Sequence, residues 1–124
     1  MSTIFIVDDN LDVVDVFRQI LNLEGFDTIA ALDGITCLKK LEDFSPDLIL
    51  LDIMMEPMDG WTTLTNIKNN PKTASIPVIM LTAKFLTNQE RQIYGNLFKD
   101  YILKPIRRKE LCEIVQKTLN YSAS

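Results

Sequence analysis

Asp47-Leu48-Ile49-Leu50-Leu51-Asp52 is the stretch on which the fold turns. Four consecutive apolar residues between turn-forming neighbours fit a strand buried on both faces, as at the centre of a parallel sheet. The run stops on Asp52. In open α/β sheets ligands bind outside the carboxyl ends of the strands, which makes a carboxylate that closes such a strand a candidate reactive group. Aspartate is also a common cap at strand ends and helix starts, so Asp52 gains meaning only from its neighbours.

Outward from this stretch, strands alternate with helices. Thr3-Ile4-Phe5-Ile6-Val7 is a β-branched and aromatic run that ends on Asp8-Asp9-Asn10. From Leu11 the apolar period changes to three and four (Leu11, Val14, Phe17, Ile20, Leu21), which predicts a helix capped by Asn10 and stopped near Gly25. Phe26 to Ala30 reads as a second strand. Asp33 caps a helix carrying Ile35, Leu38 and Leu41, and Ser45-Pro46 breaks the chain before the central strand. After Pro57 and Asp59-Gly60 a third helix runs through Trp61, Leu64 and Ile67. Ile76 to Leu81 is a fourth strand finishing at Thr82-Ala83. Thr87 and Glu90 form a capping box for a fourth helix. Tyr101-Ile102-Leu103 is a fifth strand ending at Lys104-Pro105, and a last helix carries Leu111, Ile114, Val115 and Leu119.

Five such alternations with no repeat, linker or low-complexity segment predict an α/β fold: a doubly wound, five-stranded parallel sheet with five helices on its two faces. The flavodoxin-like order 2-1-3-4-5 suits this length and puts the switch point between the first and third strands. One domain over 1–120 is expected, with 121–124 as a frayed tail.

Composition narrows the chemistry. With 47% hydrophobic and 24% charged residues the chain is that of an ordinary globular domain, and its net charge of −4 offers no basic field for nucleic acid. No apolar run approaches the roughly 20 residues that span a bilayer, so no leader, membrane anchor or membrane partner is expected, and the cytoplasm is the expected location. The chain contains no histidine, which removes Ser-His-Asp and Cys-His catalysis and any role as a histidine phosphocarrier. Cys37 and Cys112 lie far apart without a C-x-x-C pair, so zinc is not expected.

In the predicted order Asp8, Asp9 and Asp52 converge at the switch point. Carboxylates so close repel one another unless a cation sits between them. A hard divalent ion such as Mg²⁺, or Mn²⁺, suits an all-oxygen site and can also hold a phosphoryl group. The fourth strand adds the hydroxyl of Thr82 and the fifth the ammonium of Lys104. Each alone is unremarkable as a strand threonine or a surface lysine. Together they supply what phosphoryl transfer to a carboxylate needs: a nucleophile, a metal site and charge compensation on the phosphoryl oxygens.

The set resembles the receiver domains of two-component response regulators. Val7-Asp8-Asp9-Asn10, Leu51-Asp52-Ile53-Met54-Met55 with Met58-Asp59-Gly60, Leu81-Thr82-Ala83-Lys84 and Asp100-Tyr101-Ile102-Leu103-Lys104-Pro105 occur in the family's order and spacing. The resemblance implies Asp52 as phosphoacceptor and Mg²⁺ held by Asp8, Asp9, Asp52 and the Met54 backbone carbonyl. It implies Thr82 and Lys104 on the phosphoryl group, a cis Lys104–Pro105 bond, and Thr82 with Tyr101 as the switch pair. A histidine kinase or phosphotransfer protein is the implied donor. The downstream protein would dock on the fourth helix, fifth strand and fifth helix, and homodimerisation on phosphorylation is a further expectation.

Two departures from the family pattern stand out. Glu56 occupies the position four residues after Asp52 where the family usually has proline, and Pro57 follows; Glu56 is therefore a candidate modulator of metal affinity. Leu97-Phe98-Lys99 replaces the frequent Gly-Ala-Asp before Asp100, and Gly95 is a candidate stop for the fourth helix. Phe85, Ile93, Tyr94 and Phe98 nearby are either core or a docking patch. Met54 and Lys84 stand where the family tunes phosphoryl lifetime, and neither is an acid or amide that orients water, so a phosphoryl state that is not unusually short-lived is expected. Cys37 and Cys112 are expected on helices covering opposite faces, both as small buried hydrophobes without a disulfide.

Competing classes fit less well. A haloacid-dehalogenase-type phosphatase wants a second aspartate two residues after the nucleophile, where Met54 stands. A flavin binder wants a Ser/Thr/Gly-rich loop where Asp8-Asp9-Asn10 stands. A degenerate receiver acting as a constitutive binding module shares the fold and lacks only the chemistry. No output domain is expected within the residues after Tyr121, which suits either a receiver that acts alone or one taken from a larger protein.

Overall fold

The computed structural model describes residues 2–123, with side chains through Asn120. The elements run β1 (Thr3–Val7), α1 (Leu11–Leu23), β2 (Asp27–Ala31), α2 (Gly34–Lys40), β3 (Leu48–Asp52), α3 (Gly60–Asn69), β4 (Val78–Thr82), α4 (Asn88–Tyr94), β5 (Asp100–Leu103) and α5 (Arg108–Ala123). All strand pairs are parallel, in the order β2-β1-β3-β4-β5. The predicted sheet and switch point are both present.

Register does the positioning. Val7 pairs with Leu51, so Asp8 and Asp52 leave the sheet side by side at its carboxyl edge. Asp52 pairs with Leu81 and Thr82 with Leu103, which brings Thr82 and Lys104 to the same edge. β3 and β4 are buried along their whole length, as expected of central parallel strands covered by helices on both faces.

Alternation along each strand divides the core in two. Ile4, Ile6, Leu48, Leu50, Ile79 and Leu81 pack beneath α1 and α5. Phe5, Val7, Ile49, Leu51, Val78 and Met80 pack beneath α2, α3 and Trp61. Cys37 belongs to the second layer, on α2, while α5 with Cys112 covers the first, so the two thiols lie on opposite faces. Cys37 is buried as expected; Cys112 is only half-buried, at the margin of its helix's apolar stripe.

The caps follow the local sequence. Asn10 Oδ1 accepts from the amides of Asp12 and Val13, and Asp33 caps α2 through the Thr36 amide. Thr87 and Glu90 form the expected capping box, and Gly95 ends α4. Gly25 has φ +94°, a left-handed turn favourable to glycine, two residues beyond the end of α1.

Two apolar positions turn out differently. Leu11 is exposed because it starts α1 beyond the strand ends, leaving Val14, Phe17 and Leu21 to face the sheet. Ile35 is exposed because the short α2 buries Gly34, Cys37 and then Leu41, a stripe from which Ile35 is turned away. β2 starts and ends one residue later than expected. α5 extends through Ala123, and Ser124 of the expected tail lies outside the described residues.

Candidate phosphoacceptor site

Asp8, Asp9 and Asp52 each place a carboxylate oxygen within 4.8 Å of the others. Asp8 and Asp52 are buried and Asp9 is exposed, so the cluster opens to solvent on one side. Lys104 Nζ reaches in from the end of β5, donating to Asp8 Oδ2 at 2.7 Å and Asp52 Oδ1 at 3.4 Å. The Lys104 amide donates to Thr82 O at 2.7 Å. The Lys104–Pro105 bond is cis, as the resemblance implied, and so is Glu56–Pro57.

Burial and charge act on Asp52 and Lys104 together. Burial, followed by the charge of Asp8, pushes the Asp52 carboxyl up to about 6, against the opposing pull of Lys104 and the Met54 amide. Burial alone would lower Lys104, but the hydrogen bond and charge of Asp8, with those of Asp52, outweigh it and hold the ammonium above the ordinary lysine value. The one lysine therefore only partly compensates three carboxylates, and the site still favours an added cation.

The loop after β3 is drawn tightly against the strand. The Ile53 amide extends the ladder by donating to Leu81 O, and the Gly60 amide donates to Ile53 O at 2.8 Å. A Cβ on Gly60 would strike the Asp52 carbonyl oxygen and approach Ile53 Cα to 2.6 Å. This glycine is needed for close approach at the start of α3, beside Asp52. An open cavity of about 590 Å³ lies over the loop, lined in part by Asp9, Met54, Glu56, Trp61, Thr82 and Lys84.

Glu56 thus borders the cavity, although the converging carboxylates are Asp8, Asp9 and Asp52. Lys84 is exposed, and its backbone engages Thr82: Thr82 Oγ1 donates to Lys84 O at 2.8 Å and accepts from Lys84 N at 3.2 Å. Met54 exposes its side chain, and its amide lies 3.4 Å from Asp52 Oδ1. Tyr101 is half-buried, with its hydroxyl accepting from Arg91 Nη2 at 2.7 Å. The apolar group around α4 divides: Phe85 and Ile93 are exposed, while Tyr94 and Phe98 pack on the core against Trp61.

Residues 4–116 match the response regulator receiver domain family. The chain belongs to this family. Phosphorylation on an aspartate is typical of its members, which are signalling phosphoacceptor modules. The chain is 36% identical over 110 residues to protein PilG of Pseudomonas aeruginosa, covering 87% of this chain and 80% of that protein. It is 37% identical over 123 residues to the transcriptional regulatory protein CpxR of Escherichia coli, covering 98% of this chain and 51% of that protein. The N-terminal domain of a response regulator receiver protein from Methanoculleus marisnigri has 50% identity and a TM-score of 0.82, over 96% of this chain and 97% of that one. The chain spans about half the length of several curated relatives, CpxR among them. Among the described residues no helix is long and apolar enough to cross a membrane.

Two groups at this end of the molecule were not foreseen. Arg91 against Tyr101 and Trp61 against Glu90 depend on α4 meeting β5 and α3 in space, and neither contact has a local sequence signature. Gly60 was legible as a turn residue, but its approach to the Asp52 carbonyl was not.

Proposed function

We propose that this receiver domain accepts a phosphoryl group on Asp52 from the phosphohistidine of a histidine kinase or phosphotransfer protein. The observation that carries this reading is the convergence of Asp8, Asp9 and Lys104 on a buried Asp52 at the sheet's carboxyl edge. An Asp52 carboxylate oxygen attacks phosphorus, the phosphorus–nitrogen bond of the donor breaks, and the imidazole keeps the electron pair. Lys104 and Thr82 balance charge on the phosphoryl oxygens. The all-oxygen donor set and the incomplete compensation of its charge fit a hard divalent ion held by Asp8, Asp9, Asp52 and the Met54 carbonyl, with Glu56 tuning its affinity. Bound there, Mg²⁺ or Mn²⁺ supplies positive charge against the phosphoryl oxygens.

Occupation of Asp52 draws Thr82 away from the Lys84 backbone, and Tyr101 turns into the space it leaves. The surface of α4, β5 and α5, with exposed Phe85 and Ile93, then changes for a downstream protein or a second receiver. Lys84 and Met54 border the phosphoryl group and set its lifetime. The cytoplasm is the proposed location, where such donors act.

Intact-protein mass after incubation with Mg²⁺ and acetyl phosphate tests the reading, with Asp52→Asn alongside. A single phosphoryl adduct in the wild type, absent in the variant, is expected. No adduct, together with no Mg²⁺-dependent beryllofluoride binding, would leave a constitutive binding module of the same fold.

A further inference from the structure

α4 is attached differently from the helices that build the core: none of its seven residues is buried. Side-chain contacts hold it instead. Glu90 Oε2 accepts from Trp61 Nε1 at 3.2 Å, Tyr94 stacks on Trp61 at 4.4 Å, and Arg91 Nη2 donates to the Tyr101 hydroxyl at 2.7 Å. The Arg91 guanidinium also lies 5.4 Å from the Tyr101 ring centroid, so one arginine engages both the hydroxyl and the ring.

The sheet register connects this contact to the acceptor. Met80 pairs with Tyr101 and Thr82 with Leu103, so Tyr101 and Thr82 are diagonal neighbours on the sheet face that carries Met80 and α3. Both side chains are already engaged, Tyr101 with Arg91 and Thr82 with the Lys84 backbone. A ring that turned inward behind Thr82 would carry its hydroxyl away from exposed Arg91.

We propose that Arg91 is a positioning residue that holds Tyr101 outward, so that the Arg91–Tyr101 hydrogen bond must open as the phosphoryl group on Asp52 is accommodated. This rests on the phosphoacceptor reading above and adds to it a residue that sets how readily the site switches. A ligand's apparent affinity falls with the fraction of protein in its competent state. A bond made only in the outward state lowers that fraction, and its removal raises affinity at Asp52 without any change in the residues that touch the ligand.

The test is Mg²⁺-dependent binding of beryllofluoride, measured by titration calorimetry for wild type, Asp52→Asn, Arg91→Ala, Tyr101→Phe and the double variant Arg91→Ala/Tyr101→Phe. Arg91→Ala is expected to bind about three- to tenfold more tightly than wild type, the scale of one partly exposed charged hydrogen bond. Arg91→Ala should add less once Tyr101 is Phe, because the hydrogen bond is already gone and only the contact with the ring is left to remove. A merely structural arginine would lower affinity when removed or leave it unchanged, so the sign of the effect separates the two roles. Unchanged or weaker binding by Arg91→Ala overturns the proposal, as does an equal gain in the Tyr101→Phe background. If wild type binds and Asp52→Asn does not, those outcomes strike the latch alone. If wild type does not bind at all, the phosphoacceptor reading falls and the latch with it.

Discussion

In β3 all five residues are buried and each pairs in register with β1 or β4, whereas in α4 none of seven residues is buried and the helix rests on side-chain contacts. One element carries Asp52, the proposed acceptor, and the other borders the surface proposed to report its state. A nucleophile on a fully paired strand keeps its geometry because moving it would open the sheet. A helix tied down by a few partly exposed hydrogen bonds and one aromatic stack can move at a cost comparable to what a bound phosphoryl group can supply. On the proposed function, the contrast assigns rigidity to the chemistry and mobility to the output.

The largest expected effects lie on the rigid side. Lys104→Met removes the cation shared by Asp8 and Asp52 without introducing a polar group. Phosphoryl uptake from acetyl phosphate, followed as a mass time course, is expected to slow by about 10²-fold or more, the usual scale for loss of one charge-stabilising donor. Uptake at the wild-type rate would reduce Lys104 to an ion-pair partner of Asp8 and weaken the idea that the whole edge acts together.

Gly60→Ala probes the same edge through the backbone. Its methyl group would meet the Asp52 carbonyl and Ile53 Cα, neither of which is the end of a flexible side chain. Urea unfolding is expected to show a loss on the order of 2–4 kcal/mol, as for overpacking at a site that cannot yield. A variant as stable as wild type would mean that the loop after β3 shifts freely, and the contrast with α4 would fail.

The acidic cluster also gives stability a pH dependence. Asp52 is held at about 6 in the folded chain, above the ordinary aspartate value of 3.8, because burial and Asp8 disfavour its charge. The folded state thus favours neutral Asp52. This contribution is fully present below about pH 4 and is lost as pH rises through about 6. Urea unfolding in chelator should show that loss, and Asp52→Asn should remove it from the profile. Millimolar Mg²⁺ should offset it by binding the ionised cluster. An identical pH profile for wild type and Asp52→Asn would show that Asp52 is not under the strain assigned to it.

How much of this was legible in the sequence divides along the same line. The buried run Leu48–Leu51, the strand-end aspartates and the caps at Asn10, Asp33 and Thr87 are local patterns, so order and spacing were enough to foresee them. Leu11 and Ile35 were misplaced because helical period reports which residues share a face but not how far a neighbouring sheet extends over that face. Arg91 against Tyr101 and Trp61 against Glu90 and Tyr94 were invisible for a stronger reason. Arginine and glutamate are mostly exposed and interchangeable on a helix surface, and only the packing of α4 against β5 and α3 selects these aromatic partners.

The smallest effect expected is also the one that most sharpens the contrast. Glu90 holds α4 twice, returning Oε1 to the Thr87 amide in the capping box and presenting Oε2 to Trp61. Those hydrogen bonds hold its carboxyl below the usual carboxylate range, so it remains a charged acceptor near neutral pH. Glu90→Ala deletes both contacts at a cost of about 1 kcal/mol, since solvent can reach the groups left behind. Hydrogen exchange should register more than the stability does. Amides of α4 should exchange faster, while those of β3 keep wild-type protection, because β3 opens only when the sheet does. Trp61 is the chain's single tryptophan, so its fluorescence should report the lost Glu90 contact without interference. Equal acceleration in α4 and β3 would mean that the two elements open as one cooperative unit, and the division between a rigid β3 and a movable α4 would have to be abandoned.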